Sequence, residues 1–359
     1  MKIDGRGMRS GYTTGACAAA AARAAALALL DGRELEEVAI SLPGGQEASF
    51  KAETRLVDSV AISSVIKDAG DDPDITHGAE IRATIEYSPQ PGVFIDGGFG
   101  VGRVTKPGLE IAPGLAAINP VPRQMIEQAV SEIADGRLNR HGLRVIISVP
   151  DGERLAKRTL NPRLGITGGI SILGTSGIVI PYSVDAYKTC IIQSLDVALA
   201  CGCRQAVLTT GRRSEKYAQK ELLLPEECYV LVGDYIDYAL KACANKGMEK
   251  VTIWGMPGKV SKLAAGDIFT HCSGSDVNIA LLAELAAGCG LDEDELNSLR
   301  QTNSAGHFFS LLPVACLPEF SRKLCLRAAR ECRRFTNEKI RVECIMSTPE
   351  GKILGRADA

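Results

Sequence analysis

QAVLTTGRRSEKYAQKELLLPEECYVLVGDYIDYALKACANKGMEKVTIWGM, residues 205–256, decides the fold of the second half of this chain. Three short apolar runs, QAVLTTG (205–211), CYVLVGD (228–234) and KVTIWGM (250–256), each end in a glycine-bearing turn. Between them lie RSEKYAQKELL (213–223) and YIDYALKACANKG (235–247), both helical in pattern. Strand–turn–helix alternation of this kind predicts a parallel sheet with helices on its faces. Upstream, GISILGT (169–175) reads as one more such strand and SVDAYKTCIIQSLDVALAC (183–201) as its helix. Downstream, a mostly helical tail is expected from Asp276 to Phe335, and KIRVECIMSTPEGKIL (339–354) closes as a strand or hairpin.

Ligands of an open parallel sheet bind beyond the carboxyl ends of its strands. Those ends here carry Gly174, Thr175, Ser176 and Gly177; Thr210 and Gly211; Gly233 and Asp234; and Gly255 and Gly258. Glycines let a ligand approach the backbone, hydroxyls bond its polar groups, and Asp234 suits a pair of ribose hydroxyls. A nucleoside-type cofactor is therefore expected. The chain has no G-x-G-x-x-G, since GGFGVG at 97–102 has the wrong spacing, and no Walker A or G-x-S-x-G motif. Common dehydrogenases, P-loop NTPases and α/β-hydrolases lose weight accordingly.

The first part of the chain has a different rhythm. EVAISLP (37–43), ASFKAETRLV (48–57), EIRATIEYS (80–88) and GVFIDGG (92–98) alternate with period two, as strands with one wet face do. NPVPRQMIEQAVSEIADG (119–136) reads as a helix with Pro122 in its first turn and Gly136 at its end, followed by the buried strand LRVIISVP (143–150). An α+β domain with a mixed or antiparallel sheet is expected over 1–163, and the parallel α/β domain over 164–359. Near the start, RSGYTTGACAAAAARAAALALLDG (9–32) predicts an alanine-built helix capped by Thr13 or Thr14 and stopped at Asp31-Gly32. Such small side chains serve close packing on a sheet. They also leave room for an anion at the helix start, over Gly11–Gly15 with Thr13, Thr14 and Gly15 as its binding residues.

Polar clusters supply the candidate chemistry. VIKDAGDDPDITHG (65–78) gathers Asp68, Asp71, Asp72, Asp74 and His77, as a solvated turn, a cation site or a general base. Arg103 and Lys106 in GGFGVGRVTKPGL (97–109), with Arg123 in INPVPRQMI (118–126), suit a substrate bearing several carboxylates. GKVSKLAAGDIFTHCSGSD (258–276) adds Lys259, Lys262, His271 and Asp276.

Composition sets outer limits. The 359 residues exceed one core and suggest two domains, and 45% hydrophobic with 23% charged residues is ordinary for a globular chain. A net charge of −2 argues against a nucleic-acid partner. Arg23 breaks the best apolar run short of the about 18 residues a membrane span needs. The start, MKIDGRGMRSG, has no apolar signal region, so a cytoplasmic location is expected. Twelve cysteines and four histidines show no CxxC pair, only Cys201-Gly-Cys203, so reduced thiols and no metal site are expected.

RSGYTTGACAAAAA, VIKDAGDDPDITHG, GVGRVTKPGL, AINPVPRQMI, GISILGTSGIV and GKVSKLAAGDIFTH, six blocks in order between residues 9 and 271, resemble the CbiD family. The resemblance implies methyl transfer from S-adenosylmethionine to ring carbon C1 of cobalt-precorrin-5B, giving cobalt-precorrin-6A in anaerobic cobalamin biosynthesis. Cobalt enters only as part of the tetrapyrrole substrate. It further implies an N-terminal domain of the left-handed βαβ type, seen in ribosomal-protein and GHMP-kinase folds, and a Rossmann-like C-terminal domain. Under that reading Thr13, Thr14, Gly15, Arg103, Lys106, Arg123 and Lys259 hold the macrocycle's acetates and propionates, and His77, Asp72 or His271 removes a proton. Phe99 and Phe269 stand where an acid and an asparagine would be expected. A small-molecule kinase and a non-catalytic corrinoid carrier remain as alternatives, and a homo-oligomer is left open.

Overall fold

The computed structural model describes residues 7–134, 136–137, 142–269 and 277–359. The chain divides into two compact units, one running to Val184 and the other from Asp185.

In the first unit, five strands lie in the order Glu53–Val57, Val60–Ile66, Glu80–Ser88, Gly142–Ser148, Val93–Gly97. The first four are antiparallel neighbours, and Val93–Gly97 joins parallel to Gly142–Ser148. Helix α2 (Pro120–Ala134) makes the crossover between the two parallel strands. Along Val60–Ile66 the side chains alternate between buried and half-buried, so one face packs and the other is wet. Helix α1 (Thr14–Asp31) covers the packed face and is buried along almost its whole length, from Thr14 to Ala28. Its alanines lie opposite Ile81, Ile85, Leu143, Val145 and Ile147, none of them exposed at all. Small residues against large ones let the helix sit close to the sheet without voids. By length and composition alone α1 could cross a membrane, despite Arg23; here it is a core helix.

Three sequence expectations change. ASFKAETRLV is not one strand: it breaks at Ala52, Glu47–Lys51 forming a separate hairpin with Glu37–Ser41 while Glu53–Val57 enters the main sheet. Val60–Ile66 was not expected, because Ser63 and Ser64 dilute its apolar signal. GISILGT is not a strand of the second sheet. Ile166–Thr167 pairs with Arg103–Val104, Gly169–Ile170 with Gly100–Val101, and Ile178–Val179 with Gly11–Tyr12, all in the first unit. These two-residue ribbons move the division from 163/164 to 184/185. Backbones cross so tightly there that a side chain on Gly169 would run into the Gly100 carbonyl.

The second unit has the expected alternation. Its sheet runs Tyr229–Leu231, Gln205–Thr209, Lys250–Gly255, Arg341–Ser347, Ile353–Asp358, with only the last strand antiparallel. Helices Val184–Ala200, Arg212–Leu222, Ile236–Asn245 and Pro257–Ala264 alternate with these strands. The helical tail appears as Ile279–Ala287, Glu293–Arg300, Ala305–Leu311 and Leu317–Phe335.

Candidate functional site

From Gln205–Thr209 the chain moves to Tyr229–Leu231 on one side and then returns to Lys250–Gly255 on the other. The strand order therefore switches at the carboxyl ends of Gln205–Thr209 and Lys250–Gly255, where an α/β sheet opens its ligand crevice. Gly211 is the N-cap of Arg212–Leu222, and Met256 is the N-cap of Pro257–Ala264. A side chain added at Gly258 would meet nothing within 4 Å, and one at Gly211 only the Ser214 hydroxyl at 3.9 Å. Both backbones thus face open space.

Lys259 donates to the Asp234 carboxylate and to the Gly233 carbonyl at 3.2 Å. Gln205–Thr209 lies between the strands that lead to these two residues, so the ion pair joins the turns that follow its two neighbours. Gly233 is left-handed at φ 57°, and a side chain there would come within 2.9 Å of the Tyr187 hydroxyl. Tyr187 in turn packs its ring on Tyr235 at 5.3 Å. Thr210, Gly211, Gly233, Asp234, Gly255 and Gly258 thus lie at strand ends of one sheet, as expected. A partly buried carboxylate, open glycines and two helix starts fit a ligand with hydroxyls and a polar tail, such as a nucleoside. Lys259, expected among the substrate's cations, instead holds Asp234.

Gly174, Thr175, Ser176 and Gly177 belong elsewhere. They lie in the first unit, against the start of α1, because the ribbon Ile178–Val179 pairs with Gly11–Tyr12. Thr13 is the N-cap, its hydroxyl accepting from Ala16 N–H at 3.2 Å. Gly15 N–H donates to the Leu173 carbonyl at 3.0 Å and Thr13 N–H to the Gly177 carbonyl at 3.0 Å. The Thr14 hydroxyl accepts from Leu173 N–H at 2.9 Å. Residues 171–177 therefore supply the acceptors that an anion would have replaced, and the hydroxyls of Thr13 and Thr14 are buried. The small side chains serve close packing. Gly15 needs to be small because a side chain would strike Pro122 of α2.

The acidic segment 65–78 is mostly held internally. Asp68 takes both guanidinium nitrogens of Arg9, and that hydrogen bond holds its carboxyl below the usual range. Asp74 pairs with the fully buried Lys67 at 2.7 Å and caps Thr76. Burial pushes the Asp74 carboxyl up, but Lys67 and the Thr76 bonds outweigh it and the net shift is downward. Asp71 accepts from Arg9 N–H at 2.6 Å, and Asp72 from Tyr182 N–H at 2.8 Å. His77 Nδ1 accepts from Ala69 N–H at 3.1 Å, so the neutral ring carries its proton on Nε2 and presents a donor. His271 and Asp276 lie outside the described residues.

The cations of the first unit gather at its sheet edge. Arg103 bonds Asp96 at 3.0 Å and the Gly97 and Gly114 carbonyls at 3.2 Å, while Arg123 bonds the Ile95 carbonyl at 2.9 Å. Both guanidiniums thereby also cover the open edge of Val93–Gly97. Burial raises the Asp96 carboxyl, yet Arg103 and its other partners hold it below the usual range. Lys106 lays its methylene stem over Gly165, and Thr105 N–H bonds the Gly165 carbonyl at 2.7 Å. That contact brings the segment 151–165 alongside. Its Lys157 and Arg158 are exposed, with no carboxylate partner among the described residues; sequence reading missed them, although the adjacent pair in GERLAKR was visible. Among the described residues no group of three or more His, Cys, Asp or Glu is placed to hold a metal ion.

Fold and site together define an α/β protein whose second, mostly parallel sheet switches strand order between Gln205–Thr209 and Lys250–Gly255, preceded by an α+β unit with cations at its sheet edge. The chain belongs to the CbiD family: the CbiD family model matches residues 1–181, and the model for the CbiD C-terminal domain matches residues 269–358. It is 46% identical over 98% of its length to the cobalt-precorrin-5B C(1)-methyltransferase of Geobacillus kaustophilus (strain HTA426), covering 95% of that protein. To that of Priestia megaterium it is 44% identical over 98% of its length, covering 96% of the relative. A crystal structure of the cobalamin biosynthesis protein (cbiD) from Archaeoglobus fulgidus is 33% identical, covers 73% of this chain and 81% of that one, and superposes with a TM-score of 0.39.

Proposed function

We propose that the chain methylates ring carbon C1 of cobalt-precorrin-5B, giving cobalt-precorrin-6A, with S-adenosylmethionine as methyl donor. Full-length similarity at 40–46% identity to relatives curated for this activity carries the reading. The switch-point crevice of the second unit, which we read as Rossmann-like, would take the donor, with Asp234 accepting from its ribose hydroxyls and the open backbones at Gly211 and Gly258 bordering it. When bound, the donor supplies an activated methyl sulfonium. The protein's work is then to align the ring carbon with it, about 3 Å away, and exclude water.

The first unit, read as the left-handed βαβ type, would hold the macrocycle. Arg103, Lys106, Arg123, Lys157 and Arg158 supply positive charge for its carboxylates. Of the acids in segment 65–78, Asp72 is the best base: it is half-buried and held by a backbone N–H, whereas Asp68 and Asp74 are spent on Arg9 and Lys67. The test is incubation of purified protein with cobalt-precorrin-5B and S-adenosylmethionine. Mass gain of one methyl group on the macrocycle, with matching S-adenosylhomocysteine, is the expected result. Magnesium-dependent ATP turnover without methylation would favour a kinase, and macrocycle binding without S-adenosylhomocysteine binding would favour a carrier.

A further inference from the structure

The amino ends of the second sheet, opposite its crevice, hold a feature that methyl transfer does not use. Cys201, Cys203 and Cys228 line one pocket of about 360 Å³ together with Arg204, Pro225, Lys250 and Arg341. This volume is at the lower end of small-ligand sites. Cys203 stands just before the strand Gln205–Thr209, and Cys228 just before its parallel neighbour Tyr229–Leu231. Cys203 is 8% exposed and Cys228 2%, so Cys203 is the half nearer the pocket and Cys228 lies behind it. Lys250 is neutralised by Glu343 at 2.7 Å. Arg204 and Arg341 are exposed and have no carboxylate partner among the described residues. Glu249 also lines the pocket, paired with neither arginine among the described residues, so the pocket combines a thiol pair with two guanidiniums and one carboxylate.

We propose that this pocket binds a carboxylate-bearing low-molecular-weight disulfide and exchanges with it, converting Cys203 and Cys228 to an intramolecular disulfide. The carboxylates would lie on Arg204 and Arg341, whose planar donors match them. The Cys203 thiolate attacks one sulfur of the small disulfide, forming a mixed disulfide and releasing one small thiolate, which takes up a proton. Cys228 then loses its proton to solvent or to a small thiolate and attacks the Cys203 sulfur, expelling the second small thiol. Two protein thiols and one small disulfide become one protein disulfide and two small thiols. The order of attack follows from the environments: burial first, and then the Cys203 thiol beside it, push the Cys228 thiol up to about 12. Cys228 therefore stays protonated and resolves rather than captures.

The experiment uses the full chain, treated with glutathione disulfide at mildly alkaline pH and then read by thiol titration and peptide mass mapping. Wild type should lose a pair of titratable thiols and yield a Cys203–Cys228 linked peptide. Cys228→Ser should stop at a glutathione adduct on Cys203, Cys203→Ser should give neither product, and Cys201→Ser should behave as wild type. Replacing both Arg204 and Arg341 by Ala should slow the reaction several-fold with glutathione disulfide but not with the uncharged hydroxyethyl disulfide. Modification confined to Cys201, or no thiol loss in chains whose melting temperature is intact, overturns the proposal. Equal rates with the charged and uncharged disulfides in wild type and in the arginine variant would remove the anion-binding part of it.

Discussion

Replacing Asp234 by Ala tests the cofactor crevice most directly. Asp234 and Lys259 are each partly buried, at 30% and 23% side-chain exposure, and the carboxylate lies beside the left-handed Gly233. A ribose hydroxyl donating to that carboxylate is worth about 1–3 kcal/mol, so S-adenosylhomocysteine should bind roughly 5- to 150-fold more weakly. The variant also leaves the Lys259 ammonium with the Gly233 carbonyl but no carboxylate, and for a pair this close to solvent the stability loss should be about 1 kcal/mol or less. Lys259→Met with Asp234 intact separates the two effects. If Asp234 touches the ribose, Lys259→Met weakens binding much less than Asp234→Ala does. If Asp234 matters only by positioning Lys259, the two single variants and the double variant all bind alike. Calorimetric titration with S-adenosylhomocysteine, with thermal melts on the same samples, reads both quantities. Unchanged affinity in a normally melting Asp234→Ala protein would refute the assignment and move the ribose to another part of the molecule.

Three further outcomes follow from the first unit. Ala18 is fully buried in α1, so Ala18→Leu should overpack the helix–sheet layer and cost about 1–3 kcal/mol in a chemical denaturation curve, with normal turnover per folded molecule. Asp74 is held below its ordinary carboxylate range by Lys67, so its contribution to stability is complete above the unfolded value of about 4 and fades as pH falls through the lower folded value; Asp74→Asn strands the buried Lys67 and should cost about 3–5 kcal/mol near neutral pH. A double Lys157→Glu, Arg158→Glu variant should raise KM for the macrocycle and lessen its dependence on salt, while S-adenosylhomocysteine affinity stays constant. An unchanged KM in steady-state assays would remove these two residues from the macrocycle site.

Much of the second unit is legible from residues 205–256 because its signals are local. Each strand is a short β-branched run, each turn needs its glycine, and each helix has its own 3.6-residue pattern, so no distant contact is needed to recognise them. The alanine helix at 14–31 and the wet and dry faces of Glu80–Ser88 are local in the same sense. The segment 166–179 is different. It reads as an apolar strand followed by a glycine turn, but its partners, Gly11–Tyr12, Gly100–Val101 and Arg103–Val104, lie far back in the chain. Two-residue ribbons carry no periodicity, and propensity does not say which sheet an apolar run will join. The same limit applied to the polar groups. Thr13, Gly15, Asp68 and Lys259 all have the chemistry of ligand-binding residues, and only the folded chain shows that Gly177, Leu173, Arg9 and Asp234 reach them first. Residue type is a property of the sequence. Whether a donor or acceptor remains available to a ligand depends on contacts between distant residues, and tertiary structure alone decides those.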